Sequence, residues 1–87
     1  MAGDYTELVL IKPKRWNYIQ NQYDLTPRER EIAELACRGF RNEDIAQKLK
    51  ITSGTTKTHI RNIYRKVRVK SKITMLLKFI AETNFLA

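Results

Sequence analysis

Apolar residues recur every three or four positions through most of the chain, which is the spacing of one face of an α-helix. This periodicity predicts an all-α fold with helices at residues 14–22, 27–38, 42–48, 53–67 and 72–82. Residues 1–4 are expected to be loose, and the β-forming run at residues 5–11 is expected to lie extended on the core.

The second predicted helix has the clearest start signal in the chain. Thr26 can cap the helix, Pro27 suits the first helical position, and Glu29 can return the hydrogen bond of a capping box. Gly39 is placed to end the helix in the left-handed conformation. The expected buried stripe of this helix is Ile32, Leu35 and Ala36.

The first predicted helix carries Trp16, Ile19 and Tyr23 at the spacing of a core-facing stripe. Trp16 is therefore interpreted as a packing anchor and not as a binding residue. The chain is expected to divide into an N-terminal extension, residues 1–24, whose short helix packs on the rest, and a main domain at residues 25–87.

The predicted helix at residues 53–67, for which Thr52 is a suitable cap, has two different faces. The face expected to enter the core contains Thr56, Ile60, Ile63, Tyr64 and Val67. The opposite face contains Gly54, Lys57, Thr58, Arg61, Arg65 and Arg68. Such a face is either an ordinary solvated surface or a surface for the major groove of DNA, where Arg and Lys pair with guanine and a Thr methyl meets thymine.

The helix before it favours the DNA interpretation. Residues 42–48 form a short helix whose inward residues are Ile45, Ala46 and Leu49, and residues 50–51 make a tight turn into the longer helix. A short helix, a tight turn and a longer helix with a cationic outer face are the parts of a helix-turn-helix motif. We therefore expect residues 53–67 to be a recognition helix that lies in the major groove.

The charge of the chain is confined to its second half. Lys and Arg outnumber Asp and Glu by 17 to 9, but residues 1–40 are neutral and residues 41–87 carry the whole net charge of +8. No acidic residue occurs between Asp44 and Glu82. A one-sided positive field of this kind is typical of a polyanion partner, although a membrane surface could use the same field.

The cysteine and histidine counts exclude several classes of site. Cys37 and His59 are the only residues of their types, which leaves no intramolecular disulfide, no cysteine-based zinc site and no metal cluster or acid–base dyad. The first residues do not form a signal peptide, and no apolar run reaches transmembrane length. We therefore expect a cytoplasmic protein without cofactor, metal, enzymatic activity or membrane partner.

Three motifs carry a resemblance to a known family: residues 25–29 (LTPRE), 42–46 (NEDIA) and 55–69 (TTKTHIRNIYRKVRV). Together they resemble the LuxR-type (GerE/FixJ-like) DNA-binding domain of bacterial transcription regulators, over residues 25 to about 81. The resemblance implies a four-helix helix-turn-helix domain, here with an additional short N-terminal helix. It also implies double-stranded DNA as partner and dimers that meet through the last helix. Because 87 residues leave no room for a receiver or ligand-binding domain, a stand-alone regulator is expected.

The resemblance also implies roles for individual residues. It places base reading on Lys57, Thr58 and Arg61, and the outer face of the predicted helix adds Arg65. The positions that it places near phosphate are Asn42, Thr55, His59 and Lys66. For His59, a locally hydrogen-bonded imidazole is an equal alternative. The departures from the family pattern are Arg41 where a Ser or Thr cap is usual, Thr56 where an aliphatic residue is usual, Lys72 and Met75.

The last predicted helix is apolar on two faces. Ile73, Leu76, Leu77 and Ile80 form the stripe expected to dock it on the domain. Met75 and Phe79, with Lys72 beside them, point to the other side, which either the Trp16 helix or a second copy of the chain covers. The resemblance favours a second copy, so we predict a weak homodimer through Lys72, Met75 and Phe79, strengthened on DNA.

Two other functions fit a similar fold. One is DNA binding by a domain like region 4 of a sigma factor, which shares the Leu-Thr-Pro-Arg-Glu opening. The other is a protein-interaction module that docks on RNA polymerase or on another regulator. The acid-free stretch at residues 45–81 favours DNA over a protein surface, so sequence-specific DNA binding is the predicted function.

Overall fold

The computed structural model describes residues 12–86, and within them every regular element is an α-helix. The helices are α1 (Pro13–Tyr23), α2 (Pro27–Cys37), α3 (Asn42–Leu49), α4 (Ser53–Val67) and α5 (Lys72–Thr83). The predicted all-α fold is confirmed. The extended segment predicted at residues 5–11 lies outside the described residues.

Local capping explains where three of the helices begin. At α2, the Glu29 backbone N–H donates to Thr26 Oγ1 at 3.0 Å, and the Thr26 N–H donates to Glu29 Oε1 at 2.9 Å, which completes the predicted capping box. At α4, the Thr55 N–H donates to the Thr52 hydroxyl oxygen at 3.0 Å. At α5, the Thr74 N–H donates to Ser71 Oγ at 3.2 Å.

The helix α3 begins at Asn42 although its N-cap residue, Arg41, has no side chain that can accept a hydrogen bond. The Arg41 backbone N–H instead donates to Asp44 Oδ2 at 3.2 Å, and the Arg41 Nε donates to the same oxygen at 3.3 Å. These bonds, the backbone one first, lower the pKa of Asp44. Asp44 therefore anchors the start of this helix, whose N-cap residue is Arg41 and not a Ser or Thr.

Four helix ends are followed by residues in the left-handed region of backbone space. After α2 this residue is Gly39, with φ of 93°, as predicted. After the other three helices it is a residue with a side chain: Asp24 at 54° after α1, Lys50 at 57° after α3 and Arg68 at 64° after α4. The connections that begin at these three residues are short, at residues 24–26, 50–52 and 68–71, so they hold consecutive helices close together.

One hydrophobic core joins all the helices. Its buried members are Trp16, Ile19, Leu25, Ile32, Ala33, Leu35, Ala36, Cys37, Ile45, Ile60, Ile63, Val67, Met75 and Phe79. The predicted stripe of α2 is therefore confirmed. Burial raises the pKa of Cys37 to about 12, so this thiol stays protonated and packs as a small apolar group. None of the described helices is long and apolar enough to cross a membrane.

The helix α1 belongs to the same core. Trp16 is 4% exposed and Ile19 is 1% exposed, which confirms their predicted inward orientation. The Trp16 ring meets the Phe79 ring edge to face, with centroids 5.5 Å apart. The Tyr23 hydroxyl donates to the Glu82 carboxylate, and the Arg15 Nε donates to the Leu86 carbonyl at 3.3 Å. These contacts fix α1 along α5.

The predicted orientation of α5 is largely wrong, although Leu76 of the predicted docking stripe does pack against the core. Met75 and Phe79, predicted to form a dimer surface, are fully buried, whereas Ile73 and Leu77 of the predicted docking stripe are 60% and 59% exposed. The physical reason is that α1 supplies an aromatic partner for Phe79, so the domain itself covers this face. Met75 and Phe79 therefore cannot contact a second copy while the domain stays folded.

Candidate nucleic-acid interface

The helix-turn-helix predicted from the sequence is formed by α3 and α4. The turn between them is closed by the Lys50 N–H, which donates to the Gln47 carbonyl at 3.3 Å, and by the Ile51 N–H, which donates to the Ala46 carbonyl at 3.0 Å. Ala46 is 7% exposed, and its small side chain lets the two helices approach closely. The position of α4 on the domain is therefore set by rigid elements on either side of a three-residue turn.

One face of α4 is buried as predicted. Thr56, Ile60, Ile63 and Val67 are buried, and Tyr64, which was predicted on the same face, is partly buried against the core. In the family that the sequence resembles, an aliphatic residue is usual at the position of Thr56. The Thr56 hydroxyl donates to the Thr52 carbonyl at 3.1 Å. Because the hydroxyl is satisfied inside the helix, the threonine can be completely buried without an unpaired polar group.

The opposite face of α4 presents the predicted base-reading side chains to solvent. Lys57, Thr58, Arg61 and Arg65 are all exposed. Within residues 12–86, no hydrogen bond or ion pair holds the ammonium of Lys57 or the guanidinium of Arg61. Arg65 donates to Asn62 Oδ1 at 3.2 Å, one turn earlier on the same helix. The structure therefore brings these four side chains onto one accessible face.

Three of the residues predicted near phosphate lie on the two helices of the motif. Thr55 is exposed in the first turn of α4, where its hydroxyl accepts from Thr52 Oγ1 at 2.9 Å. His59 is half-buried in the middle of α4, and Asn42 is half-buried at the first position of α3. Their contacts with phosphate remain a prediction from the sequence.

The ammonium of Lys66 is bound by other groups of the protein. Its ammonium donates to Glu29 Oε1 at 2.7 Å and to the Asp24 carbonyl at 3.0 Å, and its side chain is 29% exposed. Burial alone would raise the pKa of Glu29, but the hydrogen bonds from Lys66 and Thr26 and the charge of Lys66 outweigh it and lower this pKa. Lys66 thus ties the C-terminal half of α4 to the start of α2.

Two further lysines have internal partners. The Lys72 ammonium donates to the Phe40 carbonyl at 3.1 Å, and the Lys78 ammonium donates to the Val67 carbonyl at the end of α4 at 2.6 Å. Lys72, predicted to lie in a dimer interface, is therefore engaged in holding α5 against the loop before α3. Part of the positive charge of the second half of the chain is thus used inside the protein, whereas Lys57, Arg61 and Arg65 stay exposed on α4.

Sequence reasoning missed two features of this surface. The carboxylate partner of Lys66 is one, because Glu29 lies 37 residues away and its capping role already explained it. The other is the bond from the Thr58 hydroxyl to the Gly54 carbonyl, at 3.1 Å, for which the four-residue spacing of the two positions was the available signal. Among the described residues, no group of His, Cys, Asp and Glu is arranged to hold a metal ion.

Comparison with known proteins identifies related regulators. The nitrate/nitrite response regulator protein NarL of Escherichia coli (strain K12) is 43% identical over 49 residues, which are 56% of this chain and 23% of NarL. The HTH-type transcriptional regulator MalT of Vibrio campbellii is 46% identical over 48 residues, which are 55% of this chain and 5% of MalT. The chain therefore spans less than a quarter of the length of either relative. No solved structure matches it.

A family profile matches a longer part of the chain than either of these relatives does. It matches residues 23–79, from the last turn of α1 to the buried Phe79 of α5, and so includes the whole helix-turn-helix and the face of α4 described above. The match extends over well over half of the sequence. The chain therefore belongs to the luxR family of bacterial regulatory proteins (GerE).

Proposed function

We propose that this protein is a DNA-binding transcriptional regulator that reads a specific duplex sequence with α4 in the major groove. The observation that carries the proposal is the face of α4 on which Lys57, Thr58, Arg61 and Arg65 are exposed while the opposite face is locked in the core. Membership of the luxR family and similarity to the regulators NarL and MalT support the same function.

The chemistry of this face suits base edges. An α-helix fits the major groove, where Arg and Lys form paired hydrogen bonds with guanine O6 and N7. Lys57 and Arg61 are four residues apart and lie on the same side of the helix, so they can reach neighbouring base pairs. Neither side chain has to break an internal bond before it binds, which favours their use for base contacts.

Phosphate contacts are proposed for Asn42 at the start of α3 and for Thr55 and His59 of α4. Lys66 was predicted to contact phosphate too, and its ammonium keeps one N–H beyond the two bonds to Glu29 and Asp24. We assign Lys66 first to holding α4 in place and only second to phosphate binding. A regulator of this kind performs no chemical step, so we propose no enzymatic activity.

Selection of random duplexes by the purified 87-residue chain tests the proposal. We expect a preferred sequence, from which Arg61→Ala loses about 1–3 kcal/mol of binding free energy because one base contact disappears. Arg61→Ala should also discriminate less between the preferred and a scrambled duplex. Lys14→Ala, which removes an exposed cation from α1, is the charge-matched control and should keep the preference.

The same titrations separate the alternative functions. If the parent chain binds all duplexes alike, and Arg61→Ala weakens them no more than Lys14→Ala does, sequence-specific binding through α4 is wrong. A parent chain that binds no duplex at all would favour a protein-interaction role, for example docking on RNA polymerase. Binding to the preferred duplex that falls equally in both variants would show general charge attraction without base reading.

A second copy of the chain is the proposed partner on DNA. The exposed apolar residues Ile73 and Leu77 lie four residues apart on the outer face of α5 and are 60% and 59% exposed. Two copies that bury this face against each other through a two-fold axis would present two α4 helices to two half-sites. The homodimer predicted from the sequence is therefore proposed through Ile73 and Leu77, and not through Met75 and Phe79.

The N-terminal helix is proposed to be part of the DNA-binding unit. The sequence divided the chain between residues 24 and 25, but α1 buries Trp16 and Ile19 in the common core. Residues 12–24 are then expected to fold and unfold together with the rest of the domain.

A further inference from the structure

The fold itself does not require a glycine at position 54. It is the second residue of α4, it is exposed, and its backbone is not in the left-handed region that favours glycine. A Cβ atom placed there would lie 3.8 Å from Thr52 Oγ1, an ordinary van der Waals distance, and nothing else is near. Glycine in a helix is less favourable than alanine, so folding alone would favour a side chain at this position.

Thr58 lies directly beside Gly54, one turn further along α4. The Thr58 hydroxyl donates its only proton to the Gly54 carbonyl at 3.1 Å, so the side chain is held in one orientation. What remains for an outside partner is the methyl group and the lone pairs of the hydroxyl oxygen. Thr58 is therefore better suited to an apolar contact than to donating a hydrogen bond to a base.

Because Gly54 has no side chain, the surface of α4 beside Thr58 is open, and this open place is called the recess. Lys57 and Arg61, which follow Gly54 at helical spacing, border it with long polar side chains. The recess has room for one methyl group and lies on the surface proposed to enter the major groove.

We infer that this recess receives the 5-methyl group of a thymine, and that Gly54 is a specificity-determining residue of the interface. The inference rests on the proposed function, because it needs α4 in the major groove. Thymine is the base that presents a methyl group there, and a threonine methyl is a suitable contact for it. The glycine keeps the space open that the thymine methyl fills.

The test uses the duplex selected by the 87-residue chain, with each thymine replaced in turn by deoxyuridine. Deoxyuridine lacks only the 5-methyl group, so base pairing and all hydrogen-bonding groups are unchanged. We expect one position in each half-site at which this replacement weakens binding about fourfold, as the loss of one buried methyl-sized contact would. The other thymine positions should change much less.

Three variants assign that position to the recess. Thr58→Ser keeps the hydroxyl but lacks the methyl group, and we expect it to bind the thymine and deoxyuridine duplexes equally well. Thr58→Val keeps methyl groups at the same place, and it should retain the preference for thymine whatever its overall affinity. Gly54→Ala fills the recess, so it should bind the thymine duplex at least about fourfold more weakly and lose or invert the preference.

Thermal unfolding of the variants separates binding from folding. Gly54→Ala should melt at the same temperature as the parent or higher, because alanine is the better helix residue. The inference is overturned if no thymine position responds to deoxyuridine, or if Thr58→Ser and Gly54→Ala keep the full preference. If the parent selects no sequence at all, the proposed function has failed, and this result is distinct from a selective parent that ignores the methyl group.

Discussion

At the scale of single residues, Glu29 performs two tasks with one carboxylate. It closes the capping box of α2 with the Thr26 N–H, and it accepts a hydrogen bond from the Lys66 ammonium. Glu29 is 5% exposed, so loss of its charge would leave the ammonium with a poorer partner in a partly buried place. The position of α4 therefore depends on a carboxylate in the first turn of a different helix.

This arrangement predicts acid sensitivity. The pKa of Glu29 is lowered in the folded protein, so its contribution to stability is present above its ordinary value of 4.5 and is lost as the pH falls through the lower folded value. Glu29→Gln should reduce the free energy of unfolding at pH 7 by about 1–3 kcal/mol, since it removes a hydrogen bond between charged groups. Denaturant unfolding at pH 7 and at several values below 4.5 measures both effects.

The control for this prediction is Glu31→Gln. Glu31 pairs with Arg28 on the exposed side of α2, where an ion pair contributes little. Stability of Glu29→Gln should vary less with pH below 4.5 than that of the parent or of Glu31→Gln. Equal pH dependence in all three proteins would show that the Glu29–Lys66 pair does not stabilise the fold.

At the scale of secondary-structure elements, α1 acts as a cover for α5. Trp16 lies against Phe79. The side chains of Asn17 and Gln20 in α1 accept hydrogen bonds from Arg30 of α2, at 2.7 and 3.1 Å. Trp16→Ala should therefore lower the free energy of unfolding by about 3–5 kcal/mol, as truncation of a buried tryptophan typically does. Denaturant unfolding measures this change, with Asn21→Ala on the exposed side of α1 as control. A Trp16→Ala protein as stable as the control would make α1 an appendage.

The starts of α2 and α4 could be predicted from the sequence because their signals are local. A capping threonine and the acceptor or donor it serves lie within three residues of each other. The buried face of α5 could not be predicted in the same way, because Ile73 and Leu77 on one side and Met75 and Phe79 on the other are equally apolar. The choice between them depends on Trp16, which is more than 50 residues away in the sequence. A helical wheel also cannot predict which residue of another helix pairs with a lysine, as Glu29 does with Lys66.

At the scale of the whole molecule, the proposed dimer depends on the exposed face of α5. We expect Leu77→Glu to prevent a second copy from packing there, because a charge would be buried without a partner. Affinity for a duplex with two half-sites should then fall on the order of 10²-fold, while affinity for a single half-site stays near that of the parent. Sedimentation with and without DNA measures the assembly, and duplex titration measures the affinity.

Asn21→Glu is the matched control for the assembly prediction, because it adds the same negative charge on the exposed side of α1. It should assemble and bind as the parent does. If Leu77→Glu binds the two-half-site duplex as tightly as Asn21→Glu, and both sediment like the parent, then the outer face of α5 does not form the dimer.

The residues with left-handed backbone after α3 and α4 affect two properties at once, the stability of the fold and the rate of approach to a polyanion. Lys50 and Arg68 occupy positions where glycine would avoid a conformational cost of about 1–2 kcal/mol each. Both are exposed cations, and a glycine at either place would lower the charge that speeds the approach of the protein to a polyanion. An engineered version made more heat-resistant at these two turns would therefore find its target more slowly, and the effect would be greatest in dilute salt.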